Sequence, residues 1–284
     1  MRKAFFIGMG KDLMSMAKVG LIAGVGNLPV EFMRAAQHEG YEVVVIAVLP
    51  TVAPELKAEA DAYYEIHVAK LNKILKTLHK EGITEVTFLG KVTKELLFKG
   101  LVMPDLRALK VLNRLRNRKD DTIMLAIVEE LHKEGIQVAD QTIYMKSLMP
   151  KAGVLTKKAP NQEELDDIQF GFAVAKQMGA LDIGQTVVVK HKAVMAIEAI
   201  EGTDACIRRG GQLGRGQAVV VKTAKPEQDV RFDVPAVGLT TLQSMIDGGC
   251  SVLAMEAERT IFVEQDAVLE LANKKGIVIC AVNE

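Results

Sequence analysis

The chain is poor in cysteine, has no excess charge of either sign and has no long apolar run, and each shortage removes a class of protein. Cys206, Cys250 and Cys280 are odd in number, far apart and in no Cys-x-x-Cys pattern. That speaks against a disulfide framework or a zinc ribbon and fits a reducing compartment. Lysine plus arginine total 36 and aspartate plus glutamate total 36, so formal net charge is zero. A nucleic-acid binder would show a global basic field, and any anion site here must instead be local. The apolar run Ala4 to Met9 is too short to span a membrane and has no signal-cleavage pattern, and no other segment reaches spanning length. Residues 1–16 read as an extension ahead of the fold, and the expected location is the cytoplasm. The five histidines form no His-Glu-x-x-His spacing.

What the 284 residues do contain is a core-forming composition, 49% hydrophobic and 25% charged, long enough for two domains. Val19 to Ala23 is a strand-like run that empties into Gly24-Val25-Gly26-Asn27-Leu28-Pro29, where proline suits a first helical turn. Strand, glycine turn and helix N-terminus together suit a phosphate or a uracil; the same pattern also makes a tight βα turn with no ligand. A unit then recurs: Gln37-His38-Glu39-Gly40, Leu78-His79-Lys80-Glu81-Gly82 and Leu131-His132-Lys133-Glu134-Gly135 each precede a strand. Histidine in the last helical turn and glycine at the cap predict αβ units and a mostly parallel sheet. Its strands are Val19 to Ala23, Val43 to Val48, Val86 to Leu89 and Ile136 to Ala139. Lys91 falls just past a strand end, where ligands of open α/β sheets collect. Asp120 and Asp121 read as a helix cap.

The irregular stretch Gln141 to Pro160 marks the expected boundary between a domain of residues 17–150 and a second α/β domain of 151–284. Asn161 caps a helix through Gln177, and strands are expected at Thr186 to Lys190 and Ala193 to Ile200. Glu198 interrupts the second of these and needs a partner or a metal. Glu201-Gly202-Thr203-Asp204 follows, and Arg208 to Gly216 reads as a basic glycine loop able to clamp a polyphosphate. In Lys222 to Pro235, an extended Asp229 to Asp233 puts Asp229, Arg231 and Asp233 on one face, with Lys222 and Lys225 behind. Carboxylates with cations suit a divalent metal beside a phosphate, and they equally suit an ion-pair ladder on an edge strand.

Three of these segments, with Asp182-x-Gly184-Gln185, carry a resemblance. They are Gly24-x-Gly26-x-Leu28-Pro29, Glu201-Gly202-Thr203-Asp204 and Lys222-x-x-Lys225-Pro226-x-Gln228-Asp229-x-Arg231-x-Asp233-x-Pro235-x-x-Gly238. The chain after residue 16 resembles the UDP-2,3-diacylglucosamine pyrophosphatases of lipid A biosynthesis, in the metal-dependent family unrelated to calcineurin-like phosphoesterases. The resemblance implies a Rossmann-like N-terminal domain, a C-terminal catalytic domain and an active site in the cleft between them. It implies hydrolysis of UDP-2,3-diacylglucosamine to UMP and 2,3-diacylglucosamine 1-phosphate, with Mg²⁺ (or Mn²⁺) and water attacking the α-phosphorus. Asp233 is then the key carboxylate, with Asp229, Asp204 and Glu198 as further metal or water-activating candidates. Lys222, Lys225 and Arg231 would neutralise the phosphates. Gly24, Gly26, Asn27, Leu28, Lys91, Thr203 and Gln228 are the substrate-binding candidates. Leu96, Leu97, Leu101, Val102 and Met103 are candidates to line an acyl cavity; so amphiphilic a substrate also implies transient contact with the inner-membrane surface, and a homodimer is left open. The alternatives are a nucleotide-cofactor oxidoreductase, weakened by Pro29 in place of a third glycine, and a non-enzymatic nucleotide-binding module.

Overall fold

The computed structural model describes residues 17–92, 103–114, 120–231 and 234–283. The extension expected over residues 1–16 lies outside these, as do Leu96, Leu97, Leu101, Val102 and Asp233; the side chains of Asp120 and Asp121 are likewise not described.

Buried parallel strands read as unbroken apolar runs, and the first sheet is built from such runs. Its elements are β1 (Lys18–Ala23), α1 (Leu28–His38), β2 (Glu42–Ala47), α2 (Pro54–Glu59), β3 (Ala62–Glu65), α3 (Leu71–Lys80), β4 (Glu85–Leu89), α4 (Leu106–Arg114), α5 (Asp120–Lys133) and β5 (Gln137–Val138). The strand order is β3-β2-β1-β4-β5, all parallel. This is the arrangement of a mononucleotide-binding half, with its topological switch point between β1 and β4. The recurring glycine has its expected role: Gly40, Gly82 and Gly135 have φ of +87°, +70° and +74° just after α1, α3 and α5. β3 is an addition to the expected strands. Asp105 caps two helices at once, its carboxylate accepting the Asn72 amide of α3 at 2.8 Å and the Ala108 amide of α4 at 2.9 Å.

The second sheet follows from β6 (Gly153–Val154), α6 (Gln162–Ala180), β7 (Thr186–Lys190), β8 (Ala193–Ile197), α7 (Thr203–Leu213), β9 (Val219–Lys222), β10 (Ala236–Val237), α8 (Leu239–Gly248), β11 (Val252–Glu256), β12 (Ile261–Phe262), α9 (Gln265–Lys275) and β13 (Val278–Val282). Its order is β6-β13-β11-β9-β7-β8, parallel through β13, β11 and β9 and antiparallel at the remaining pairings. Asn161 and Glu164 form a reciprocal capping box at the start of α6.

Two expectations fail here for local reasons. Arg208 to Leu213 is not a loop but the end of α7, because its glycines are packing sites: a Cβ on Gly210 would lie 2.4 Å from Val188 Cβ. Nor is Asp229 to Arg231 extended; residues 230–231 form a turn.

The small parallel pair β10 and β12 stands between the two sheets. Successive side chains of a strand point to opposite faces. Ala236 and Ile261 accordingly pack with Val19, Leu21 and Phe32 of the first half. Val237 and Phe262 enter the core of the second half with Val220, Leu253 and Met255.

Candidate functional site

The carboxyl end of the first sheet is closed by a backbone bridge. Val25 and Lys91, just beyond β1 and β4, exchange amide-to-carbonyl bonds of 3.0 and 2.8 Å. Gly24 is required by this crossing, since a Cβ there would lie 2.8 Å from the Lys91 carbonyl oxygen. Gly26, at φ +121°, faces open space, and Asn27 and Lys91 are exposed beside it. Leu28 opens α1. The Asn27 amide donates to Glu264 Oε1 at 3.1 Å, so the glycine turn meets the second half directly.

The second half contributes a polar relay at the ends of β8 and β9. Lys222 Nζ donates to Thr203 Oγ1 at 3.2 Å and to the Ala236 carbonyl at 3.0 Å. Thr203 in turn donates to Glu198 Oε1 at 2.8 Å. The other Glu198 oxygen accepts the Gln185 amide at 3.4 Å. Glu198 and Lys222 are buried, and burial of either charge without such partners would be costly. Thr203 opens α7 behind Gly202, and Asp204 sits in the first helical turn, where the helix dipole favours a carboxylate.

Gln185 connects this relay to the loop after β9. Its carbonyl accepts the Thr223 amide at 3.0 Å, and its side-chain oxygen accepts from Gln228 Nε2 at 3.5 Å. Gln228 Oε1 accepts the Lys225 amide at 3.0 Å, and Lys225 Nζ lies 2.7 Å from Asp182. Gly184 lets the backbones touch: a Cβ there would fall 2.1 Å from the Glu198 carbonyl oxygen. Asp182-x-Gly184-Gln185 and the long segment from Lys222 are thus one assembly.

Asp229 and Arg231 form a local pair. Asp229 Oδ1 accepts the Arg231 amide at 3.1 Å and Nε at 2.9 Å, while Oδ2 accepts Nη2 at 2.6 Å. The Arg231 hydrogen bonds hold the Asp229 carboxyl below its ordinary range, and Asp229 raises Arg231 in return. This side chain-to-backbone bond replaces the expected strand. Asp233, two residues on, lies outside the described residues.

Two of the three arginines expected to clamp a polyphosphate are engaged within the fold, while Arg215 is exposed beyond the end of α7. Arg208 donates to Ser244 Oγ at 2.7 Å, and Arg209 pairs with Glu201 and the Ile197 carbonyl. Met103, expected beside an acyl cavity, is 77% exposed.

Two further residues steady the loop and were not anticipated. Glu256, buried at the end of β11, accepts the Ala224 amide at 2.7 Å and Lys176 Nζ at 2.8 Å. The available signal is the one that singles out Glu198, a lone carboxylate beside an apolar run.

Among the described residues no three side chains of the metal-ligating types converge. Glu198 and Asp229 already spend their oxygens on protein donors, whereas Asp204 has no side-chain partner among the described residues. A preformed cage is therefore absent from the described residues, but Mg²⁺ is commonly held by one or two carboxylates together with substrate phosphates. Asp204 fits that sparser mode.

Comparison with known proteins covers both halves. The family model of the LpxI N-terminal domain matches residues 18–148, and that of the LpxI C-terminal domain matches residues 151–280. A protein of Caulobacter vibrioides named UDP-2,3-diacylglucosamine pyrophosphatase LpxI is 34% identical over 279 residues, 94% of this chain and 98% of its own length. Solved structures overlap only loosely. Glycinamide-RNase-transformylase T from Mycobacterium tuberculosis aligns with a TM-score of 0.25 and 16% identity, over 64% of this chain and 44% of that one. The biotin carboxylase subunit of pyruvate carboxylase aligns with a TM-score of 0.26 and 14% identity, over 61% and 35% of the two chains. Overlaps this loose carry no argument.

Proposed function

The chain belongs to the LpxI family, and from that premise we propose that it hydrolyses the pyrophosphate bond of UDP-2,3-diacylglucosamine, giving UMP and 2,3-diacylglucosamine 1-phosphate in lipid A biosynthesis. The observation that carries this reading is the end-to-end match to a relative bearing that activity in its name.

The chemistry suits the residues. A pyrophosphate diester resists water because its anionic oxygens repel a nucleophile, so a site must offset that charge. Lys222 and Lys225 project from the end of β9 and the loop after it, and both are held in place, Lys222 by Thr203 and Ala236 and Lys225 by Asp182. Arg231 is presented by Asp229 with its guanidinium plane fixed, a geometry matched to phosphate oxygens. Asp233 takes the proton of the attacking water. The oxygen of that water joins the α-phosphorus, the bond to the bridging oxygen breaks, and the bridging oxygen leaves on the sugar phosphate.

Mg²⁺, when bound, supplies Lewis-acid polarisation of the phosphates; Asp204 and Asp233 are the carboxylates proposed to hold it. The uridine end is assigned to the turn Gly24 to Leu28 and Lys91, at the switch point of the first sheet. Asn27, bonded to Glu264, would bring that end to the cleft between the halves.

The test is turnover of UDP-2,3-diacylglucosamine with Mg²⁺ in ¹⁸O-water. Label in UMP is expected. Label in the sugar phosphate overturns attack at the α-phosphorus, and absence of both products overturns the assignment. Asp233→Ala should lose turnover while still binding substrate; equal loss of binding would make Asp233 structural.

A further inference from the structure

Helix α4 buries one narrow side, through Ala108 and Val111, and turns leucines outward. Leu106 is 79% exposed, Leu109 39% and Leu112 42%, with Met103 exposed just ahead of the helix. At about 100° per residue these leucines cover an arc of roughly 120°. Arg107, Lys110 and Arg114 fill the adjoining arc of about 60° on the same helix. An apolar stripe in water beside a cationic stripe is the pattern of a helix that lies in a membrane interface.

The charges on this face are unequal. Arg107 is bound to Glu130 and Glu134 of α5 at 2.8 and 2.6 Å, and Arg114 lies 3.8 Å from Glu130. Lys110 has no acidic partner among the described residues. Asp105, the other acid nearby, spends its carboxylate on the two helix amides already described. Beside the helix is a cavity of about 690 Å³, with Arg107, Lys110, Arg114 and Lys133 on its wall against Asp105 and Glu130; Lys133 is itself bound to Glu129 and Glu130 at 2.7 and 2.9 Å. Cations there exceed acids, and the cavity is large enough for a phosphate headgroup.

We propose that α4 docks the protein on an anionic lipid bilayer, the leucines entering the acyl boundary while Lys110 and Arg114 meet headgroup phosphates. The proposal rests on the functional reading in one respect: a diacylated substrate resides in such a bilayer. Charge complementarity selects the lipid surface, because a purely apolar protein partner would leave Lys110 unpaired.

The experiment is co-sedimentation of the full chain with vesicles of phosphatidylglycerol and phosphatidylcholine, against phosphatidylcholine alone. Wild type should bind the anionic vesicles, lose them at high salt, and bind neutral vesicles weakly. Leu106→Glu/Leu109→Glu should lower anionic binding at least about tenfold while hydrolysis of detergent-dispersed substrate stays unchanged. Both positions are exposed, so folding is preserved. Equal binding by the variant, equal binding to neutral vesicles, or no binding by wild type overturns the proposal. So does a dimer-to-monomer shift in analytical ultracentrifugation with vesicle binding unaltered, which would assign the face to a second copy. Protein that hydrolyses dispersed substrate without sedimenting overturns the docking alone; protein that sediments without hydrolysing overturns the functional reading alone.

Discussion

Arg231 closes on Asp229, two residues earlier in the chain, with Nε and Nη2 at 2.9 and 2.6 Å from the two carboxylate oxygens. On the proposed reading, Asp229 works through Arg231 rather than on substrate. Arg231→Ala should cut kcat/KM by about 100-fold, and Asp229→Ala by less. The double variant should match Arg231→Ala, because the two act as one unit. An additive loss in the double variant would give Asp229 an independent role. The pair is 31% and 39% exposed, so its worth to stability is under about 1 kcal/mol. A carboxyl held below its ordinary value of 3.8 stabilises above that pH and loses the contribution as pH falls further. Chemical denaturation between neutral and strongly acidic pH, comparing wild type with Asp229→Asn, reads this difference.

Thr203 is both donor and acceptor in the Lys222–Thr203–Glu198 relay. Thr203→Ala leaves Glu198 without that donor and Lys222 without that acceptor, with an expected cost of about 1–3 kcal/mol. On the proposed reading activity should fall at least about tenfold, since Lys222 loses one of the contacts that position it. Thr203→Ser keeps the hydroxyl and should keep most of both. Equal loss in the two variants would point to the threonine methyl instead.

Gly210 distinguishes a packed helix from a solvated loop. A methyl group placed on it would meet Val188 atoms at 2.4 to 2.7 Å, so Gly210→Ala should lower stability by about 1–3 kcal/mol. Val188→Ala added to it keeps the Cβ at 2.4 Å and removes only the Cγ contacts at 2.6 and 2.7 Å, so the two losses should be less than additive. A glycine in a solvated loop would show neither effect, and a denaturant titration of the three variants separates the cases.

Burial pushes the thiols of Cys206 and Cys250 up to about 12 and that of Cys280 up to about 11. At pH 8 iodoacetamide should leave all three untouched in the native protein and alkylate all three in denaturant. Rapid native labelling would place a thiol at the surface.

Legibility follows how local each signal is. The parallel strands and the capped helix ends before Gly40, Gly82 and Gly135 are visible in the sequence because apolar runs and left-handed glycines act within a few residues. β3 escapes because Ala62, Tyr63, Tyr64 and Glu65 form a short, half-buried edge strand with no alternation. The end of α7 reads as a loop because its glycines look like slack when their packing partners, Val188 and Gly248, are unseen. At Asp229 the period-two argument loses to a carboxylate that bonds its own backbone. The joining of Gln185 to Glu198, Thr223 and Gln228 depends on contacts between distant segments, which no spacing rule expresses.

The ribbon of β10 and β12 has one face in each core, so neither half owns it. Unfolding the first half would strip Ala236 and Ile261, and unfolding the second would strip Val237 and Phe262. Either event exposes apolar surface that the surviving half had relied on. The two halves are thereby coupled: calorimetry should show one transition, with damage to either core felt at the other.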